Sequence, residues 1–126
     1  MKFKLILSLL LCVYFISGCN QQNSQNTDQQ YDLVVYGGTS AGVIAAYSAS
    51  KMGKTVVIIE PGNRLGGLSS GGLGQTDIGN KHAVTGLSRD FYRRLGDYYN
   101  NFEQWKFEPK AALEVYQQYV EEEDIP

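Results

Sequence analysis

Gly37, Gly38, Thr39, Ser40, Ala41 and Gly42 form a glycine-rich hexad, and Glu60 follows 23 residues after Gly37. Glycines at a chain reversal leave backbone amides bare, and a helix beginning there adds the positive end of its dipole. That combination suits a pyrophosphate, which needs amide donors without bulky side chains in front of them. A carboxylate placed by a neighbouring strand can accept from a ribose 2′-hydroxyl, and it repels a 2′-phosphate. The hexad and Glu60 therefore read as a dinucleotide site disfavouring NADP. In the spacing G-x-G-x-x-G the middle position is Thr39, whose methyl crowds the approach to a pyrophosphate. The Thr39 and Ser40 hydroxyls offer donors in partial return.

These groups need a frame, and the flanking sequence supplies one. Leu33-Val34-Val35-Tyr36 is apolar and β-branched, which predicts a strand buried on both faces. Val43 to Met52 holds neither Gly nor Pro and is rich in Ala, which predicts a helix stopped by Gly53. Thr55 to Ile59 predicts a second strand ending at Glu60. Gly37 would permit the exit from the first strand, and Gly42 the close packing of helix on sheet. Strand, turn, helix and strand within thirty residues is the parallel βαβ arrangement of a Rossmann-like α/β fold.

After Glu60 come six glycines in the thirteen positions from Gly62 to Gly74. Leu65, Leu68 and Leu73 stand between them as apolar anchors, so the stretch reads as a packed loop near a ligand rather than a flexible linker. Thr85 to Asn100 predicts a helix with Leu87, Phe91, Leu95 and Tyr98 on one stripe; Arg89, Arg93 and Arg94 fall mostly off it, as a solvated face. A last helix should begin at Pro109, a favoured first position. It would carry Ala112, Leu113, Tyr116 and Val120 inward and end badly on Glu121, Glu122, Glu123 and Asp124, the wrong sign for its dipole.

The rest of the 126 residues is bounded more coarsely. The chain is long enough for one domain, with 11 basic and 13 acidic side chains and a net charge of −2. No basic patch interleaves with aromatics, which argues against nucleic acid. No group of His, Cys and carboxylate has metal-ligand spacing. His82, the single histidine, reads as a surface or hydrogen-bonding residue rather than a general base. The nine tyrosines and Trp105 read as packing rather than a substrate platform.

Residues 1–18 have a basic start, an apolar run from Leu5 to Ile16 and small residues after it, the pattern of a secretory signal peptide. Ile16-Ser17-Gly18-Cys19 resembles a bacterial lipobox. It implies lipidation at Cys19 and attachment of the mature protein to a lipid bilayer in the bacterial cell envelope; a chance Cys at a normal cleavage site, or a short uncleaved anchor, is the alternative. Cys12 would leave with the signal, so no internal disulfide is open to the mature chain. Residues 19–30 hold no apolar residue beyond Cys19 and read as a disordered tether, with residues 31–126 the folded part.

Val34 through Gly42, Glu60 with Arg64-Leu65-Gly66-Gly67, and Ser70-Gly71-Gly72-Leu73-Gly74 together resemble the N-terminus of the FAD-dependent oxidoreductases. More closely, they are similar to an exported bacterial group in which some members carry a xanthan lyase label. The similarity runs through Gln75-Thr76-Asp77 and Trp105–Lys110 to the end of the chain. It implies FAD as cofactor and Gly37 to Gly42 around its pyrophosphate. It further implies Glu60 at the adenosine ribose, Arg64, Gly66 and Gly67 along the cofactor, and Ser70, Gly71 and Gly72 toward the flavin. The catalytic residues and a small-molecule or sugar-type substrate stay unidentified. Members of that family are several hundred residues long, so the sequence predicts the first part of such an enzyme, binding FAD poorly in isolation. A truncated non-catalytic remnant and an NAD-binding protein are the alternatives.

Overall fold

A computed structural model describes residues 28–126. The signal peptide, Cys19 and most of the tether lie outside the described residues. Strand β1 (Leu33–Tyr36) leads into helix α1 (Ser40–Lys51) and strand β2 (Val56–Ile59). A short helix α2 (Leu68–Gly71), a 3-10 turn (Lys81–Ala83), helix α3 (Gly86–Tyr98) and helix α4 (Pro109–Glu122) follow. The strands lie side by side and parallel, Leu33 opposite Val56 and Tyr36 opposite Ile59. A clip fastens their starts: Thr55 donates its amide (2.9 Å) and hydroxyl (3.1 Å) to Asp32 Oδ2, and the Asp32 amide donates to Thr55 Oγ1 at 2.9 Å. These bonds hold the Asp32 carboxyl below its usual range.

Helix α4 is the centre of the core. Its Ala111, Ala112, Val115, Tyr116 and Tyr119 are buried together with Val43 and Tyr47 of α1, Phe91 and Leu95 of α3, and Phe107. The inward stripe is thus turned from the one the sequence predicts, with Leu113 only half-buried and Val115 and Tyr119 inside. On α3 the predicted Leu87–Phe91–Leu95 line packs inward, but Tyr98 is exposed. Gly96 takes the packing position because Asn101 and Glu103 backbone closes over it, leaving no room for a Cβ.

The strands correct a prediction. The face carrying Val56, Val35 and Ile58 packs on α1 and α4. The opposite face, with Val34, Tyr36 and Ile59, is 46–78% exposed. The apolar run is that of a strand covered on both sides, but among the described residues helices cover only one. Beyond β2, the Ile58 amide donates to the Pro126 carbonyl at 2.9 Å.

The acidic end of α4 is met from two other helices. Glu122 accepts from Arg94 of α3 and, at 3.2 Å, from Tyr47 Oη of α1, and Glu123 sits 3.3 Å from Lys51. Arg94 and Arg89 are therefore not a solvated face. Arg94 bridges to Asp90 at 2.8 Å and Arg89 to Glu103 at 2.7 Å, with the Glu103 side chain only 6% exposed; Arg93 alone of the three is mostly in solvent. No helix among the described residues is long and apolar enough to cross a membrane.

Candidate functional site

The turn between β1 and α1 brings the hexad to one corner. Gly37 leaves the strand with φ +104°, a left-handed value that disfavours a side chain, while its amide still donates to Ile59 O at 2.8 Å. Helix α1 then begins at Ser40, three residues before the sequence predicts. Thr39 explains the early start: in extended conformation at the N-cap, its Oγ1 accepts the Gly42 amide at 3.1 Å. Among the described residues no acceptor takes the amide hydrogens of Ser40 or Ala41, as is usual for a first helical turn. Thr39→Ala is expected to lower stability by about 1 kcal/mol through loss of this cap, measured as a lower urea midpoint at unchanged slope.

Glu60 reaches the same corner from β2. Its Oε2 accepts the Gly38 amide at 2.6 Å and its Oε1 the Gly62 amide at 2.7 Å. Each oxygen keeps a further lone pair for a ligand. A Cβ on Gly38 would overlap Leu65 and crowd Glu60, so the second glycine of the hexad serves the approach of this acid.

The glycine loop closes over the corner through the chain's own packing. Gly66 donates to Gly38 O at 2.7 Å and turns at φ +92° with the Tyr116 ring against its Cα, while Gly67 lies beside Thr39. Ser40 Oγ donates to Gly66 O at 3.2 Å, which commits that hydroxyl to the loop instead of leaving it for a phosphate. Arg64 donates to Ser70 O at 3.2 Å. Ser70 is 2% exposed, its hydroxyl turned inward to Leu65 O and, at 3.4 Å, Gly67 O. Gly74 lies against the Phe107 carbonyl, where a Cβ has no room. Gly71 and Gly72, by contrast, have nothing within 4 Å of an added Cβ.

Of the three leucines read as anchors only Leu65 packs; Leu68 and Leu73 are 76% and 61% exposed. The loop is held instead by Ser70 and by backbone bonds at Gly74 and Thr76 to the segment 105–107. Sequence reasoning missed Tyr116, whose hydroxyl faces Ser69 and Ser40 and whose burial raises its pKa. Its place on the inner stripe of α4 was legible, but its arrival at the glycine loop depends on tertiary packing. His82 is exposed, and no cluster of metal-ligating side chains occurs among the described residues.

The corner thus offers two free amides at a helix start, one acid between the strand ends and an open glycine pair beyond. A family model described as FAD dependent oxidoreductase matches residues 32–126. Among solved structures, one described as "Oxidized steroid monooxygenase bound to NADP" shares the fold, with a TM-score of 0.50 and 19% identity. The alignment covers 77% of this chain and 18% of that one. None of the curated proteins compared matches the chain.

Proposed function

The chain belongs to the FAD-dependent oxidoreductase family, and we propose that its glycine corner holds the ADP half of FAD in an exported, lipid-anchored oxidoreductase. When bound, the flavin supplies hydride acceptance; the residues described here bind and orient it. In this reading the pyrophosphate takes the Ser40 and Ala41 amides at the start of α1, with Gly37, Gly38, Thr39 and Gly42 shaping the approach. Glu60 accepts from the adenosine ribose, Arg64, Gly66 and Gly67 line the path of the cofactor, and Ser70, Gly71 and Gly72 lie toward the flavin. The observation that carries the reading is Glu60, whose two oxygens join the ends of both parallel strands at the turn where α1 begins. Attachment through Cys19 to the cell-envelope membrane rests on the sequence pattern of residues 1–19.

The test compares nucleotides that differ at the ribose. Adenosine diphosphate is expected to bind about tenfold or more tightly than its 2′-phosphorylated form, because Glu60 meets the extra phosphate with like charge. Glu60→Gln should narrow that ratio. Equal affinity for the two nucleotides, or tighter binding of the 2′-phosphorylated form, sinks the assignment.

A further inference from the structure

Two open clefts meet beside the glycine corner. The first, about 420 Å³, borders Ser40 and Ala41 and so belongs with the cofactor reading. The second, about 450 Å³, extends away from the corner and shares only Ser69 and Tyr92 with the first. Gln75, Thr76, Asp77 and the apolar Leu73 and Phe107 complete it. We infer that this second cleft binds an uncharged polyhydroxylated molecule, a polyol or a sugar.

The polar groups of the cleft carry no positive charge, and Tyr92 and Thr76 are held in place. Tyr92 stacks on Trp105, ring centroids 3.9 Å apart and planes within 19°, which fixes where its hydroxyl projects. That hydroxyl lies 3.1 Å from Thr76 Oγ1. Thr76 in turn is pinned by its amide to Trp105 O at 3.3 Å, and Gln75 bridges to Lys106. The three hydroxyls of Ser69, Thr76 and Tyr92, which both donate and accept, with the Gln75 carboxamide and the acceptor-only carboxylate of Asp77 match a ligand carrying several O–H groups. Among the described residues no Lys, Arg or His borders this second cleft, so an anion there finds no counter-charge and meets Asp77. The exposed Leu73 gives an apolar wall for the C–H face of such a molecule. A few converging polar groups on an apolar lining is the usual make-up of a small-molecule site.

The inference goes beyond the flavin reading and is tested without added cofactor, so failure of one leaves the other standing. Ligand-observed saturation-transfer NMR on the 126-residue chain would use xylitol, D-gluconate and D-glucosamine as probes. Xylitol is expected to give a saturable signal, with gluconate weaker by about tenfold because its carboxylate faces Asp77. Tyr92→Phe keeps the stack on Trp105 and Thr76→Val keeps the side-chain shape; each should weaken xylitol by about fivefold through one lost hydrogen bond. Should Thr76→Val prove unfolded by circular dichroism, Tyr92→Phe and the exposed Asp77→Asn decide. No xylitol signal, gluconate equal to xylitol, a response from glucosamine alone, or folded variants that bind xylitol unchanged each overturns the inference.

Discussion

Gly42→Ala should lower the folding stability of this chain by about 3 kcal/mol, out of the roughly 5–15 kcal/mol usual for a domain. A methyl on Gly42 would overlap the Gly37 carbonyl oxygen and press on Val35 Cγ1 at 3.2 Å. Neither neighbour can give way cheaply. Gly37 is fixed by its left-handed turn and its bond to Ile59 O, and Val35 belongs to the helix-covered face of the sheet. Helix α1 must lift instead, and Val43 and Ala46, both fully buried, lift with it. Gly71→Ala is the control, since nothing lies within 4 Å of its added Cβ; it should stay within about 0.5 kcal/mol of the parent. Urea denaturation of both variants makes the comparison, and a Gly42→Ala midpoint as high as that of Gly71→Ala removes the close-packing account.

That glycine was legible because its role is local. Gly37 and Gly42 between two β-branched runs, with Glu60 closing the second, predict strand, turn, helix and strand, and the parallel pairing of Leu33–Tyr36 with Val56–Ile59 follows. Local chemistry also decides the start of α1: against the dinucleotide pattern Thr39 is a misfit, but a Thr ahead of a helix is also an N-cap, and it caps here. What the sequence could not carry is tertiary. Whether Val34 and Tyr36 are covered depends on what lies over that face of the sheet, and no pattern inside β1 reports it. Leu68 and Leu73 look like anchors by type, but the loop is fastened by Ser70, a residue whose polarity suggests solvent. The roles of Arg64 through Gly72 toward a cofactor rest on resemblance rather than on periodicity, and although the stretch reads as a packed loop, nothing in it names Tyr116 and the Phe107 carbonyl as the neighbours of Gly66 and Gly74.

The arginines show the same division, and the larger part of their effect was hidden. Asp90 and Arg94 are four apart on α3, a pairing visible in the sequence. Nothing there announces that Arg94 also grips Glu122 of α4 across 28 residues, or that its guanidinium lies 4.1 Å over the Tyr119 ring. Tyr119 closes the set by donating to Asp90 at 2.7 Å, and burial together with that bond raises its pKa. With the Arg94 side chain 19% exposed and its carboxylates 40–45% exposed, solvent screens the pairs in part. Arg94→Met keeps most of the packing over Tyr119 and removes the charge; a loss of about 2 kcal/mol is expected after that screening.

The acid limb of the stability curve separates charge from packing. Burial alone would raise the Asp90 carboxyl, but the bonds from Tyr119 and Arg94 outweigh it and leave the pKa lowered. Glu122 is lowered by its bond to Arg94. Carboxyls depressed in the folded state bind protons more readily when unfolded, so their contribution is complete above the unfolded value of about 4 and fades as pH falls through the folded values. The parent chain should therefore lose stability steeply below about pH 4, whereas Arg94→Met, starting lower at neutral pH, should decline more gently. Chemical denaturation from pH 7 to 2.5 reads both curves. Parallel acid limbs would show that Arg94 contributes by packing on Tyr119 alone and that its ion pairs with Asp90 and Glu122 add nothing to the hold between α3 and α4.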